Sequence, residues 1–128
     1  MQQMQKVLFT IFFTIFIASL LNAQSSKEKP FSKVERRILD TITKLKEVRE
    51  RIKYVDEKTK GKRHLAFVIW EKPTQQNPYY WVKVTEDNGM TYYTHFNFFV
   101  YPQPIIIKFL DTANDNVTDL KTWRKRKY

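Results

Sequence analysis

Apolar residues recur along the first half of the chain at Val34, Ile38, Ile42, Leu45, Val48, Ile52 and Val55, spaced by 4, 4, 3, 3, 4 and 3 positions. That spacing holds all seven on one stripe of an α-helix for about six turns. Ser32 with Glu35 three residues on makes a capping box, so the pattern predicts a helix beginning at Ser32. Charged pairs such as Arg36 with Asp40 and Glu47 with Arg51 lie on the outer faces, each contributing only ~0.3 kcal/mol. Burying an apolar side chain stabilises by ~1.5–3 kcal/mol, so packing of the stripe against a sheet outweighs those pairs. The run DEKTKGKR, Asp56 to Arg63, ends the helix, with Gly61 marking the exit.

Past Arg63 the period changes from helical to alternating. Four strand signals follow: HLAFVIWE (64–71), YYWVKVTE (79–86), MTYYTHFNFFVY (90–101) and IIIKFLD (105–111). Prolines break the chain between the first pair and again at Pro102 and Pro104. TANDN reads as a turn, and Thr118 is expected to cap a short final helix, DLKTWRKR, whose Leu120 and Trp123 clip onto the sheet edge. Around the DNG turn, a two-residue loop would mix apolar and polar side chains on each face of the hairpin. A three-residue loop, Asp87-Asn88-Gly89, pairs Glu86 with Met90 and separates the faces. One face then gathers Tyr80, Val82 and Val84 with Tyr92, Thr94, Phe96 and Phe98. The other gathers Tyr79, Trp81, Lys83 and Thr85 with Tyr93, His95, Asn97, Phe99 and Tyr101.

The expected fold is therefore α+β: one long N-terminal helix on a four-stranded antiparallel meander, with a short C-terminal helix. This element order, over residues 32–111, resembles the cystatin-like arrangement, shared by cystatins and, with more helices, by nuclear-transport-factor-like proteins. The resemblance rests on element order. Protease inhibitors of that fold carry a Gln-x-Val-x-Gly hairpin, whereas the tip here reads EDNGM, so the resemblance does not extend to that activity. The larger relatives build a ligand cavity from extra N-terminal helices, and this pattern has one helix there.

Composition adds a compartment. The chain opens with one Lys, at position 6, and a fifteen-residue apolar run, VLFTIFFTIFIASLL, before Asn22-Ala23. This reads as a signal peptide over residues 1–23, with a flexible lead-in at 24–31 and a single domain at 32–128. Fifteen residues span only about 22 Å as a helix, short of a ~30 Å hydrocarbon core, which favours a cleaved signal over an anchor. The ending NAQ resembles export signals of Bacteroidota, and periplasmic or extracellular residence is expected. With no cysteine there is neither a disulfide nor a lipid-anchoring thiol.

Without the first 23 residues the chain has 22 basic and 13 acidic side chains, a net charge of +9. Such charge attracts anionic envelope surfaces; an exported protein rarely meets nucleic acid. Fourteen aromatics fall in residues 64–128 and only Phe31 and Tyr54 in residues 24–63. The front is thus charged and helical, the back aromatic and strand-forming.

Few residues offer catalysis. There is no Cys, no Ser beyond Ser32, and no glycine-rich loop, since Gly61 and Gly89 are the only glycines. His64 and His95 lack metal-ligand spacing, and DTANDN departs from a calcium loop at its third and sixth positions. No catalytic residue, metal or cofactor is assigned. The candidate binding surface is the aromatic face of Tyr79, Trp81, Lys83, Tyr93, His95, Asn97, Phe99 and Tyr101, with a protein or glycan partner or a second copy as its occupant. Two alternatives stand beside it: a small hydrolase or isomerase using His95, and an enzyme inhibitor presenting the hairpin tip or Gln75–Pro78. Asp111-Thr112-Ala113 also matches a short O-glycosylation pattern at Thr112.

Overall fold

A computed structural model of the chain describes residues 29–126. The expected signal peptide and most of the lead-in lie outside the described residues. Three helices and five strands follow one another: α1 (Lys33–Thr43), α2 (Lys46–Thr59), β1 (Leu65–Glu71), β2 (Tyr80–Asp87), β3 (Tyr92–Pro102), β4 (Ile105–Asp111), β5 (Asn116–Asp119) and α3 (Leu120–Arg126). The sheet is an antiparallel meander in the order β1-β2-β3-β4-β5. Among the described residues no helix is long and apolar enough to cross a membrane.

The helical stripe behaves as its spacing requires, but it is carried by two helices rather than one. Ile38, Ile42 and Val48 are fully buried and Val55 nearly so, packed on the inner face of the sheet. The break falls at Lys44-Leu45, where Leu45 is extended. Just before it, the Thr41 and Thr43 hydroxyls bond back to the carbonyls of Arg37 and Leu39, both at 2.8 Å. A β-branched run with hydroxyls competing for helix carbonyls weakens and bends a helix, which is the local reason for the interruption. The capping box forms as expected, with Ser32 N–H donating to Glu35 at 2.7 Å and Glu35 N–H to Ser32 Oγ at 3.2 Å. Lys60 and Gly61 both take left-handed backbone angles at the α2 exit.

The fifth strand occupies residues expected from the sequence to form a turn and a helix cap. Asp111 Oδ1 accepts from the backbone of Ala113 and Asn114, and Asp115 adopts positive φ, closing a tight reversal. The β-branched Val117 and Thr118 then pair back onto β4, with Val117 opposite Leu110 and Thr118 opposite Phe109. Asp119, not Thr118, caps α3, accepting from Thr122 N–H at 2.8 Å. The final helix lies on the inner face of the sheet, not its edge. Trp123 stacks on Phe109 at 4.1 Å and meets Phe96 and Phe98 edge-on. Arg124 and the mostly buried Glu47 of α2 form a two-point ion pair that ties the last helix to the first pair. All three helices therefore cover the same side of the sheet.

The β2–β3 hairpin also corrects the expected register. Its loop has four residues, Asn88 to Thr91, closed by Asn88 N–H to the Thr91 carbonyl at 3.2 Å, so Asp87 pairs with Tyr92. The Asn88 side chain accepts from both Met90 and Thr91 N–H, and Gly89 supplies the positive φ that the turn needs. Further along, Thr85 pairs with Thr94 but Val84 pairs with Phe96, leaving His95 as the extra residue of a β-bulge. Beyond the bulge Val82 faces Phe98 and Tyr80 faces Val100. Val82, Val84, Phe98 and Val100 are all at 0% exposure and make the centre of the core.

Candidate functional site

The sheet has one covered face and one that no described helix overlies. On the uncovered face the ladder brings residues together in rows. Val68, Lys83 and Asn97 are consecutive cross-strand partners, as are Trp81, Phe99, Lys108 and Asp119, and Tyr101 sits opposite Ile106. The rings lie against one another: Tyr79 stacks on Phe99 at 4.2 Å and meets Tyr101 at 5.6 Å, while Trp81 approaches Phe99 edge-on at 5.6 Å. Trp70 stands at the β1 end of this surface, 56% exposed.

Two cations are set into the rings. Lys83 Nζ lies 3.3 Å from the Trp70 ring centre and 4.9 Å from that of Trp81, and Lys108 Nζ lies 5.3 Å from Tyr101. Burial holds the Lys83 ammonium below the ordinary lysine range, with Glu71 pulling the other way. Each cation–π contact of this kind is worth ~0.5–2 kcal/mol. The polar groups among the rings are largely turned on one another. Trp81 Nε1–H donates to Asn97 Oδ1 at 3.0 Å, and Thr85 Oγ1–H reaches the Ala66 carbonyl at 3.5 Å. Asn97, Thr85 and Leu110 of this face are buried, although no described helix overlies them.

Six of the eight sequence-derived site residues, Tyr79, Trp81, Lys83, Asn97, Phe99 and Tyr101, share this surface. Tyr93 and His95 do not. The extra residue at the bulge reverses the alternation of the β3 tip, so that Tyr93 becomes the partner of Glu86 on the helix-covered side. His95 Nε2 shares a 2.8 Å hydrogen bond with Glu86 Oε2, and its ring meets Tyr93 edge-on at 4.8 Å. Arg63 Nη1–H donates to the other Glu86 oxygen at 3.2 Å. The carboxyl of Glu86 is held below its ordinary value, first by the His95 bond and next by Arg63, against the opposing effect of burial. Glu86 lies nine residues from His95 in the chain and becomes its neighbour only through the hairpin, so the pair has no local sequence signature.

A depression of about 440 Å³ beside this cluster is lined by Tyr54, Val55, Lys58, Thr59, Lys62, Arg63 and Glu86. His95 is absent from that lining; its side chain is 8% exposed and turned to Glu86. Arg63, Glu86 and His95 thus form one hydrogen-bonded cluster at the edge of the depression. Among the described residues no three His, Asp, Glu or Cys side chains converge as a metal site.

Sequence reasoning also passed over residues that complete the uncovered face: Val68 and Trp70 on β1, Ile106 and Lys108 on β4, and Val117 on β5. The unbroken apolar run LAFVIW carried the signal, since Ala66, Val68 and Trp70 are apolar as well as Leu65, Phe67 and Ile69, which leaves both faces of the strand apolar. Their partnership with β2 and β3 depended on registers that only the full sheet sets. No family model, curated protein or solved structure matches the chain.

Proposed function

We propose that this protein is a small exported, non-enzymatic binding protein of the cell envelope whose uncovered sheet face engages a partner protein. The observation that carries the reading is the aromatic surface of Tyr79, Trp81, Phe99, Tyr101 and Trp70, over which no described element lies. Tyr and Trp bring large apolar area at low conformational-entropy loss and are enriched at the centres of interfaces. A protein partner suits it better than a glycan. Among the polar groups beside the rings, the Trp81 indole N–H and the Asn97 amide oxygen already bond each other, which leaves fewer for sugar hydroxyls. Val68 and Ile106, 38% and 47% exposed, extend the surface with aliphatic area that a sugar ring does not use.

The net charge of +10 for the full chain would draw the protein toward acidic partners or the anionic envelope. A catalytic role for His95 has less support, because its imidazole is buried against Glu86 and does not line the neighbouring depression. The order of helix then antiparallel strands is shared with the cystatin-like arrangement, without the inhibitory hairpin.

The test is capture from envelope extract on immobilised protein, with bound material identified by mass spectrometry. A discrete protein should be retained by wild type and lost, at least tenfold, by the double variant Trp81→Ala/Tyr101→Ala with its circular dichroism unchanged. Equal capture by the variant, or retention of polysaccharide alone, overturns the reading.

A further inference from the structure

The two edges of the sheet are built differently. β5 has four residues, NVTD, with polar side chains at three of them, and its last residue turns aside to cap α3. β1 has seven, LAFVIWE, with six apolar residues in succession and neither Lys nor Pro among them. In the order β1-β2-β3-β4-β5 it has β2 on one side and, among the described residues, no strand on the other. Edges of this kind present a row of backbone donors and acceptors, and proteins that stay monomeric blunt them with charge, proline or bulges. The irregularity in β1 lies between Ile69 and Glu71, so Leu65 to Ile69 remains a regular template. Lys72, the first cation after the strand, is drawn to Glu35 of α1 at 2.7 Å.

We propose that β1 is a dimerisation edge, at which two copies of this chain pair antiparallel about a twofold axis through Phe67. The sequence is self-complementary in that register. Leu65 falls opposite Ile69 and Ala66 opposite Val68, an all-apolar centre. The regular segment Leu65 to Ile69 is centred on Phe67, so this register pairs the whole of it with itself. Shifting the axis to Val68 would run the ladder into the irregularity, setting Ala66 opposite Trp70 and Leu65 opposite Glu71. The product is one continuous ten-stranded sheet, with Trp70 and the aromatic rows of both copies on the same side. The inference does not rest on the proposed partner protein.

Sedimentation equilibrium of the purified full chain in mild detergent over a dilution series, together with cysteine trapping, tests it. Wild type should sediment at twice the chain mass, as should Trp81→Ala, which lies on the face but not at the edge. Ala66→Lys/Val68→Lys, both at exposed positions, places lysines opposite each other twice and should sediment as a monomer. The chain has no cysteine, so Ala66→Cys mixed with Val68→Cys should cross-link under mild copper–phenanthroline oxidation severalfold faster than either variant alone. A wild-type monomer, an undiminished dimer in the double lysine variant, or equal cross-linking in the mixed and single samples overturns the proposal. Loss of partner capture by Trp81→Ala with the dimer intact separates the two readings.

Discussion

The two faces of one sheet, built from the same strands, are packed by different rules. On the inner face Val82, Val84, Phe98 and Val100 are fully buried beneath α1, α2 and α3. On the outer face the adjacent residues Trp81, Lys83 and Phe99 are only half-buried, in contact with one another and under no described helix. The inner face is mostly aliphatic side chains and Phe; the outer face sets Tyr79, Tyr101, Trp70 and Trp81 beside Phe99, with amphipathic lysines laid across them. A surface that is apolar in body and polar at its tips is stable in water and still gains from being covered. The difference teaches that the aromatic richness of the chain's second half has two causes, core filling and surface presentation, separated by a single step of alternation.

The largest effect should come from neighbouring phenylalanines on opposite faces. Phe98→Ala removes a fully buried ring from the core and should lower stability by about 3–5 kcal/mol. Phe99→Ala should lower it by no more than about 2 kcal/mol, since its site is already open to solvent on one side. Urea denaturation of both variants measures the gap, and equal losses would mean that the outer face is as much a core as the inner one.

A smaller effect belongs to the place where the alternation breaks. Glu86 sits on the helix-covered side with Arg63 and His95, and its folded carboxyl is held below the ordinary glutamate value of 4.5. The unfolded chain therefore binds the proton more readily in that range. The ion-paired contribution is complete above the unfolded value and is lost as pH falls through the lower folded value. Glu86→Gln should reduce stability near neutral pH by about 1–3 kcal/mol, the scale of a hydrogen bond to a charged group. It should also flatten the fall in stability below the ordinary glutamate value. A variant whose acid limb matches that of wild type would remove Glu86 from this role.

How far the sequence reached follows from the same alternation. The stripe from Val34 to Val55, the capping box at Ser32 and the inner-face residues Val82, Val84, Phe96 and Phe98 were legible, because helical and strand periods are local. The break at Leu45 was not, since the stripe remains in phase across it and only the threonine hydroxyls mark the bend. The bulge at His95 was equally hidden. A single extra residue has no compositional signature, yet it carried Tyr93 and His95 away from the six site residues that stay together. The loop length was the other source of error: the Asn88 side chain closes a four-residue loop where the sequence fits a three-residue one as well. β5 was missed because TANDN followed by a capping threonine is as good a helix start as it is a hairpin.

The claim that the uncovered face is the binding face is tested most directly by oxidative footprinting of the protein with and without captured envelope partner. Trp70, Trp81 and Tyr101 should oxidise in the unbound protein and become protected on binding. Trp123 on the inner face and Met90 and Tyr92 at the exposed hairpin tip should be unchanged. Protection confined to Met90 and Tyr92, or to Tyr54 beside the basic depression, with Trp70 and Trp81 still reactive, would contradict the account.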